Sequence, residues 1–530
     1  MTRFIGTAVL VRLILRRDRI RLPIWLLAIL VLVATSVAGA QSVYGTPEAQ
    51  ATYALTVGGS AASIALSGPP VALDTIGGIT VFEVSQVVIV GISLMVIFLT
   101  LRHTRTDEEA GRTEMLRAGV LGRNADAAAI TVVMTAASVV VGVGVTASFV
   151  GAGLPVPGSV VYGVAVAVLG LVFTGIALVA AQVTEHARGG VGLAVAVLGA
   201  LYLLRAAGDV GANWVTWTSP IGWVQAVRPF AGERWWPLAL ALLFAVGCIA
   251  LAGWLTTRRD IGSGLVKPHP GPADASGLLA GPATLAARLQ RGSVIGWSVG
   301  LAVLGAVFGS LGQDVEEMIE GNPQLAEVFA RTSGGATVVD AYFATVLTMM
   351  ALVATGFTVA GVLRLRSEES ALRAEPLLAT ALSRTRLTAG WLAVVVLASL
   401  VVLGAGGLGA AVTYAVVDHD AGHIPILFGA MLAYLPAVLS LGALGFALFG
   451  WLPRSSALAW GALALCFVSG WLGPVLRLPE WLMNLSPYAL TPQLPMEPFA
   501  LGPVLGIGLV AAALAVIGLA GFRRRDLVAE

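Results

Sequence analysis

The sequence predicts an all-α polytopic membrane protein whose twelve transmembrane helices form two tandem six-helix repeats. Three observations carry that prediction. Apolar residues make up 57% of the chain and charged residues 11%, against about 25% charged in a soluble globular chain. Twelve apolar runs come close to or exceed the ~20 residues that a membrane-spanning helix needs. Finally, a charged stretch at Arg105–Arg123, RTDEEAGRTEMLRAGVLGR, returns without a gap 261 residues later as Arg366–Arg384, RSEESALRAEPLLATALSR. A repeat of that period in 530 residues marks a duplicated domain rather than a solenoid.

In chain order, residues 1–21 carry six arginines, and an apolar run follows to about Ala40. The outline is that of a signal peptide. Cleavage is not expected, because Arg288, Arg291 and Trp297 repeat the spacing of Arg16, Arg19 and Trp25 at the start of the second half. A basic segment lying along the membrane surface fits better. Further runs fall near 83–101, 127–150, 158–182, 190–206 and 235–256. The second half gives 294–311, 341–363, 389–417, 424–451, 456–475 and 501–522. The expected domains are 1–256 and 291–530, each six spans, joined by a Pro-rich linker at 257–290.

Arginine placement sets the orientation. With both termini in the cytoplasm, 26 of the 31 Lys and Arg residues lie on the inside, and the positive-inside rule then favours that topology in the cytoplasmic membrane. Both charged islands face the cytoplasm, between spans 2 and 3 and between spans 8 and 9. Long loops lie outside. The one at 312–340 carries Asp314, Glu316, Glu317, Glu320 and Glu327. The segments 219–230 and 486–499 share a Ser-Pro start and a Pro-Phe end, and their neighbouring tryptophans fit an interfacial belt.

Each island reads as a helix. Thr106 and Ser367 are good N-caps, and Glu109 completes a capping box with Thr106. Glu108–Arg112 and Glu369–Arg373 are spaced i,i+4 in the favourable order. A single copy would read as a solvated connector, whereas two matched copies in matched places point to a docking surface that is needed twice. The residues expected to carry it are Glu108, Arg112, Glu114 and Leu116, and Glu369, Arg373, Glu375 and Leu377, with Leu121 and Leu382 positioning the helices.

Other features weigh less. Asp418, His419, Asp420 and His423 have metal-ligand chemistry, but they occupy a short turn, so no metal is expected. Cys248 and Cys466 sit in separate apolar runs and imply packing rather than a disulfide. Gly296/Gly300 and Gly305/Gly309 are pairs spaced four apart, which predicts a stripe for close helix packing.

Two absences in the sequence bear on function. Lys267 is the only lysine, and SGLVKPHP around it is not a phosphate-binding loop, so the chain is not expected to hydrolyse ATP by that route. No Asp, Glu, Lys or Arg falls well inside any expected span, with Glu83, Arg205 and Asp340 placed at the ends. A secondary transporter usually needs such a group for ion coupling. Energy is therefore expected to enter through the islands. Nothing indicates nucleic-acid binding, and a membrane-embedded transferase would need a polar catalytic cluster that is not visible.

The repeated Glu-x-x-x-Arg-x-Glu core, at Glu108–Glu114 and Glu369–Glu375, together with twelve spans as two sixes, resembles the ABC-2-type exporter permeases of actinobacteria. It is most similar to the fused, double-length permeases associated with export of tetronasin-like and polyketide antibiotics. The resemblance implies a permease subunit with no enzymatic activity of its own. Two copies of a separate ATPase, holding the ATP and Mg²⁺, would dock on coupling helices at 105–123 and 366–384. It also implies an interfacial helix at 3–21, re-entrant segments at 219–230 and 486–499, and a hydrophobic or amphipathic small-molecule substrate. Pro376 replaces Met115 of the first copy and is expected to kink or shorten the second coupling element. The alternative is a proton-coupled major-facilitator multidrug transporter, also six plus six. The long islands and uncharged spans argue against it.

Overall fold

The computed structural model describes residues 4–526 apart from 120, 212, 261, 267–273, 275, 278, 280, 313–336 and 473–478. Lys267 and the acidic loop residues Asp314, Glu316, Glu317, Glu320 and Glu327 lie outside the described residues. Among those described, helices are joined by turns and no strand occurs. The chain divides into two compact units, Met1–Gly271 and Pro272–Glu530, a boundary that falls within 257–290.

The first unit opens with a short helix, α1 (Thr7–Arg17), whose Leu10 and Ile14 are buried. The chain turns at Asp18 and enters α2 (Arg21–Val43). Two short helices follow, α3 (Pro47–Thr56) and α4 (Ala61–Ser67), capped by the hydroxyls of Thr46 and Ser60. Next come α5 (Ile76–His103) and the island helices α6 (Arg105–Glu109) and α7 (Arg112–Arg117). The remaining long helices are α8 (Ala125–Gly151), α9 (Val156–Val183), α10 (Ala187–Val210) and, after the short α11 (Asn213–Thr216) and α12 (Pro220–Gln225), α13 (Trp236–Leu255). α5 and α9 are the most enclosed. Their buried residues pack with those of α8 into one apolar core that includes Ile92, Met95, Met134, Phe149 and Phe173.

The second unit has α14 (Pro282–Ser310), α15 (Val338–Ser370), the island helix α16 (Ala374–Leu378) and α17 (Arg384–Val417). Then come α18 (His423–Ala433) and α19 (Leu435–Trp451), separated at Tyr434 just before Pro436. α20 (Leu458–Leu472), α21 (Glu480–Met483) and α22 (Leu501–Arg524) complete it. α15 is the enclosed helix here, and Phe343, Met350 and Phe357 form the centre of its core. Here α14 runs unbroken, whereas its counterpart in the first unit is split into α1 and α2.

Among the described residues eleven helices are long and apolar enough to cross a membrane, so this is a multi-pass membrane protein. The expected run at 456–475 appears as α20, with 15 described residues. At 1.5 Å per residue that is ~22 Å, short of the ~30 Å hydrocarbon core, and residues 473–478 beyond it are outside the described set. Of the twelve expected spans, eleven are therefore seen among the described residues.

Two expectations need correction. Glu83 does not end a span. Thr75 caps α5 through its hydroxyl, which accepts from Gly78 N–H at 3.1 Å, so the helix starts seven residues earlier and places Glu83 two turns inside. Tyr44 and Tyr53 donate to its carboxylate there. Burial, with Glu83 beside it, pushes the Tyr44 phenol up to about 12. The four-glycine stripe on α14 is half right. Gly305 and Gly309 lie against the backbone of Gly406 and Ala410 on α17, while Gly296 and Gly300 have no neighbour close to where a Cβ would stand. Five residues separate Gly300 from Gly305, and at ~100° per residue that turns the second pair ~140° away from the first.

At the end opposite the islands, Arg205 is buried on α10. It pairs with Asp209 at 3.3 Å and donates to Ile64 O and Leu66 O at the end of α4. Gln225 donates to Ser67 O at 2.8 Å. These bonds tie α4 to α10 and to the 219–230 segment, in which Pro220, Ile221, Gly222 and Val224 are buried. Trp217 and Trp236 stack 5.2 Å apart near them.

Candidate functional site

Neither island is one continuous helix. In the first copy α6 ends at Glu109, Gly111 adopts a left-handed φ of 68°, and α7 starts at Arg112. In the second, α15 runs on through Ser370, Leu372 adopts φ 59°, and α16 starts at Ala374. Gly111 and Leu372 are equivalent at the 261-residue offset. The break is therefore a property of both copies and not of Pro376, which sits in the first turn of α16, where a missing N–H costs nothing. The expected caps also fail. Ser367 lies inside α15, and Thr106 donates to Leu101 O at 3.4 Å. Extending an existing span costs less than nucleating a new helix, so neither island needs a cap of its own.

The break re-pairs the charges. Arg112 does not reach Glu108 at i−4. It bonds Asp107, with Nε to Oδ1 at 2.9 Å and Nη2 at 2.7 Å. Arg373 bonds the equivalent Glu368, Nε to Oε2 at 2.6 Å. This i,i+5 brace spans the left-handed residue in both copies. The Glu368 bond pushes the Arg373 guanidinium above its ordinary pKa.

Glu108 and Glu369 instead make a bond that the sequence reading did not anticipate. Arg259 clamps Glu108 with two hydrogen bonds, 2.6 and 2.9 Å. Arg525 clamps Glu369 with two of 2.6 Å. Both carboxylates are buried, at 7% side-chain exposure. Each arginine stands just past the last span of its own half, in a repeated Arg-Arg-Asp (258–260 and 524–526). Bidentate arginine–carboxylate pairs of this kind fix orientation as well as distance.

The far end of each island is pinned to the same place. Arg123 donates to Thr256 O and Arg259 O at 3.0 and 3.4 Å. Arg384 donates to Phe522 O at 3.1 Å and to Arg525 O. Those carbonyls end the last span, where a cation is favoured. In each half, then, an acidic residue near the start of the island and an arginine at its end grip the final span.

Between the two grips the island turns its tip outward. Glu114 and Met115 are exposed in the first copy, and Leu372, Glu375 and Pro376 in the second. Leu116 and Leu121 pack against the first core, and Leu377 and Leu382 are half-buried. Of the residues singled out from sequence, Glu108 and Glu369 face inward, Arg112 and Arg373 brace the turn, and Glu114 and Glu375 face out.

The first island carries extra ties. Arg17, at the end of α1, bonds Asp107 at 2.5 and 3.0 Å. That carboxylate, outweighing burial, raises the guanidinium further above its ordinary pKa. Asp18 bonds His103 at 2.5 Å, and both are buried. Asp418, Asp420 and His423 do converge, with His423 on Asp418 at 2.7 Å. Their mutual bonds account for the grouping.

Each unit is a set of long apolar helices with a charged island folded against its own last span, the build of a multi-pass membrane protein. Residues 279–523 match the family described as "Multidrug efflux system permease Rv1217c, C-terminal domain". Over 526 residues the chain is 39% identical to the multidrug efflux system permease protein Rv1217c of Mycobacterium tuberculosis (strain ATCC 25618 / H37Rv), covering 99% of this chain and 96% of that protein. The chain belongs to the Rv1217c family of multidrug efflux permeases.

Proposed function

We propose that the chain is the transmembrane subunit of an ATP-driven ABC exporter for hydrophobic or amphipathic compounds, and that it carries no ATPase activity of its own. Two copies of a separate ATPase, which hold the ATP and Mg²⁺, dock on the two islands. The island end of each unit and both termini then face the cytoplasm, with the chain in the cytoplasmic membrane. The observation that supports this reading best is that both islands repeat one attachment: a buried Glu–Arg clamp, an arginine on the last-span carbonyls, and an exposed tip. An element gripped at both ends by a span can pass a push at its tip to that span. In this reading Glu114 and Glu375 contact the ATPase, with Leu372 beside Glu375. Glu108, Glu369, Arg112 and Arg373 keep the island rigid, and Leu116 and Leu377 seat it.

Purified permease alone should hydrolyse no nucleotide. With its cognate ATPase it should form a complex of two ATPase copies per chain, with drug-stimulated hydrolysis. Native mass spectrometry and phosphate release measure both. A stable complex with one copy would overturn the stoichiometry, and hydrolysis by this chain alone would overturn the assignment.

A further inference from the structure

Residues 1–21 hold six arginines against one acidic residue, Asp18. Arg17 pairs with Asp107 on the first island, and Asp18 is taken by His103 and Arg102. Arg12, Arg16, Arg19 and Arg21 are all exposed. On α1, Leu10 and Ile14 are buried. At ~100° per residue, Arg12 and Arg16 stand ~160° round from them. Val9 and Leu15 flank these two arginines and are 66% and 46% exposed. The span α2 begins at Arg21, and its exposed Ile24, Leu27 and Val31 suit lipid. The end of α1 and the turn at 18–20 therefore stand where the chain enters the bilayer, at the level of the phosphate groups. There an arginine lays its stem on apolar surface and turns its guanidinium to phosphate.

α1 is also clasped to the first island at both ends. Beside its start, Gly122 N–H donates to Ile5 O at 2.9 Å. At its end Arg17 holds Asp107, the carboxylate that also accepts the Arg112 brace. Whatever fixes α1 on the membrane surface therefore fixes both ends of the island. In the second half Arg288 and Arg291 are exposed likewise. Leu289, at the place of Arg17, has no charge with which to join its island.

We propose that Arg12, Arg16, Arg19 and Arg21 form a binding site for anionic phospholipid headgroups, and that bound headgroups steady the first island through α1. Attraction of this kind adds about 1 kcal/mol per arginine near an anionic surface. The occupant is lipid rather than a soluble phosphate, because Val9 and Leu15 stand among the arginines and suit the acyl boundary below the phosphates. The lipid site stands on α1 itself. Its bearing on ATP hydrolysis rests on the reading that an ATPase docks on the island.

The test places the full-length permease, without any ATPase, in nanodiscs of phosphatidylcholine alone or with about 30% phosphatidylglycerol. Native mass spectrometry counts the phosphatidylglycerol retained, and hydrogen exchange follows the amides of residues 105–117. Phosphatidylglycerol should slow that exchange at least fivefold and leave residues 366–378 unchanged, which separates the effect from a general change at the charged surface. Arg12→Gln with Arg16→Gln and Arg19→Gln should lower retention at least tenfold and remove the exchange difference. The matching triple Arg→Lys variant should keep both, which a folding defect at these positions would not allow. Arg17→Ala should keep the lipid and lose the exchange difference. Equal retention by the Gln variant and the wild type would overturn the inference, as would wild-type exchange that ignores phosphatidylglycerol. The same slowing by soluble glycerol 3-phosphate in neutral discs would overturn the choice of lipid. Because no ATPase enters the experiment, its failure is distinct from failure of the docking reading.

Discussion

The two islands differ less in what they contain than in what holds them. Both carry the left-handed break, the i,i+5 brace, the Glu–Arg clamp and the arginine on the last-span carbonyls. Among the described residues only the first is also tied to the helix that opens its half, through Arg17 and Asp107; its continuing chain holds it too, through Gly262 and Ser263. At the places of Asp18 and His103 the second half has Gln290 and Arg364, and Arg364 approaches Glu368 at 3.9 Å. The shared bonds mark what any such island needs, namely a fixed attitude on the last span. The unshared bonds stiffen one island more than the other, so the same push should move the two halves unequally.

The largest effect is expected from the clamps. Arg259→Ala or Arg525→Ala strips a buried carboxylate of its bidentate partner, which costs at most about 3–5 kcal/mol. Efflux should collapse and the melting temperature of the purified protein should fall. Arg259→Ala should be the worse of the two, because Arg259 also holds Gln182 and Ser263 O. The exchange Glu108→Arg with Arg259→Glu should recover part of the loss. Equal damage at both sites would erase the asymmetry.

A smaller change sharpens the comparison from the other side. Arg17→Ala removes a partly exposed pair worth about 1 kcal/mol after solvent screening. It should reduce drug-stimulated ATP hydrolysis without unfolding the protein. Leu289→Ala, at the equivalent position of the second half, should leave that activity unchanged.

The smallest effect lies in the backbone. Gly111→Ala should destabilise by about 1 kcal/mol, because a Cβ is strained at a left-handed φ. Leu372→Gly should relieve a similar strain, offset in part by the flexibility glycine adds to the unfolded chain. Thermal melting should therefore shift in opposite directions for these two substitutions at equivalent positions.

Much of this was legible in the sequence, and the rest was hidden for identifiable reasons. Long apolar runs declare spans whatever their neighbours do, so eleven of the expected runs appear as long helices among the described residues. Their ends do not, because polar caps such as Thr75 extend a helix past its apolar part and carry Glu83 inward. The islands were visible as a repeat, but their break was not. Gly111 is a fair signal for a left-handed residue, whereas Leu372 is among the least expected there. The i,i+4 pairs assumed an unbroken helix and failed with it. Arg259 and Arg525 were within reach, since Arg-Arg-Asp recurs after both final spans. The offset there is 266 residues rather than 261, so a gapless alignment on the islands passes over it. What no pattern announces is a long-range pair between residues 151 and 156 positions apart.

The central claim, that both island tips receive the ATPase, is tested most directly by reversing the exposed carboxylates, which leaves the buried clamps intact. Glu114→Lys, Glu375→Lys and the double variant would be reconstituted with the cognate ATPase at matched amounts, and drug efflux per ATP hydrolysed would be measured. Each single reversal should lower that ratio, and the double should abolish drug-stimulated hydrolysis while the permease keeps its wild-type melting temperature. Wild-type efflux and stimulation in the double variant would contradict the claim.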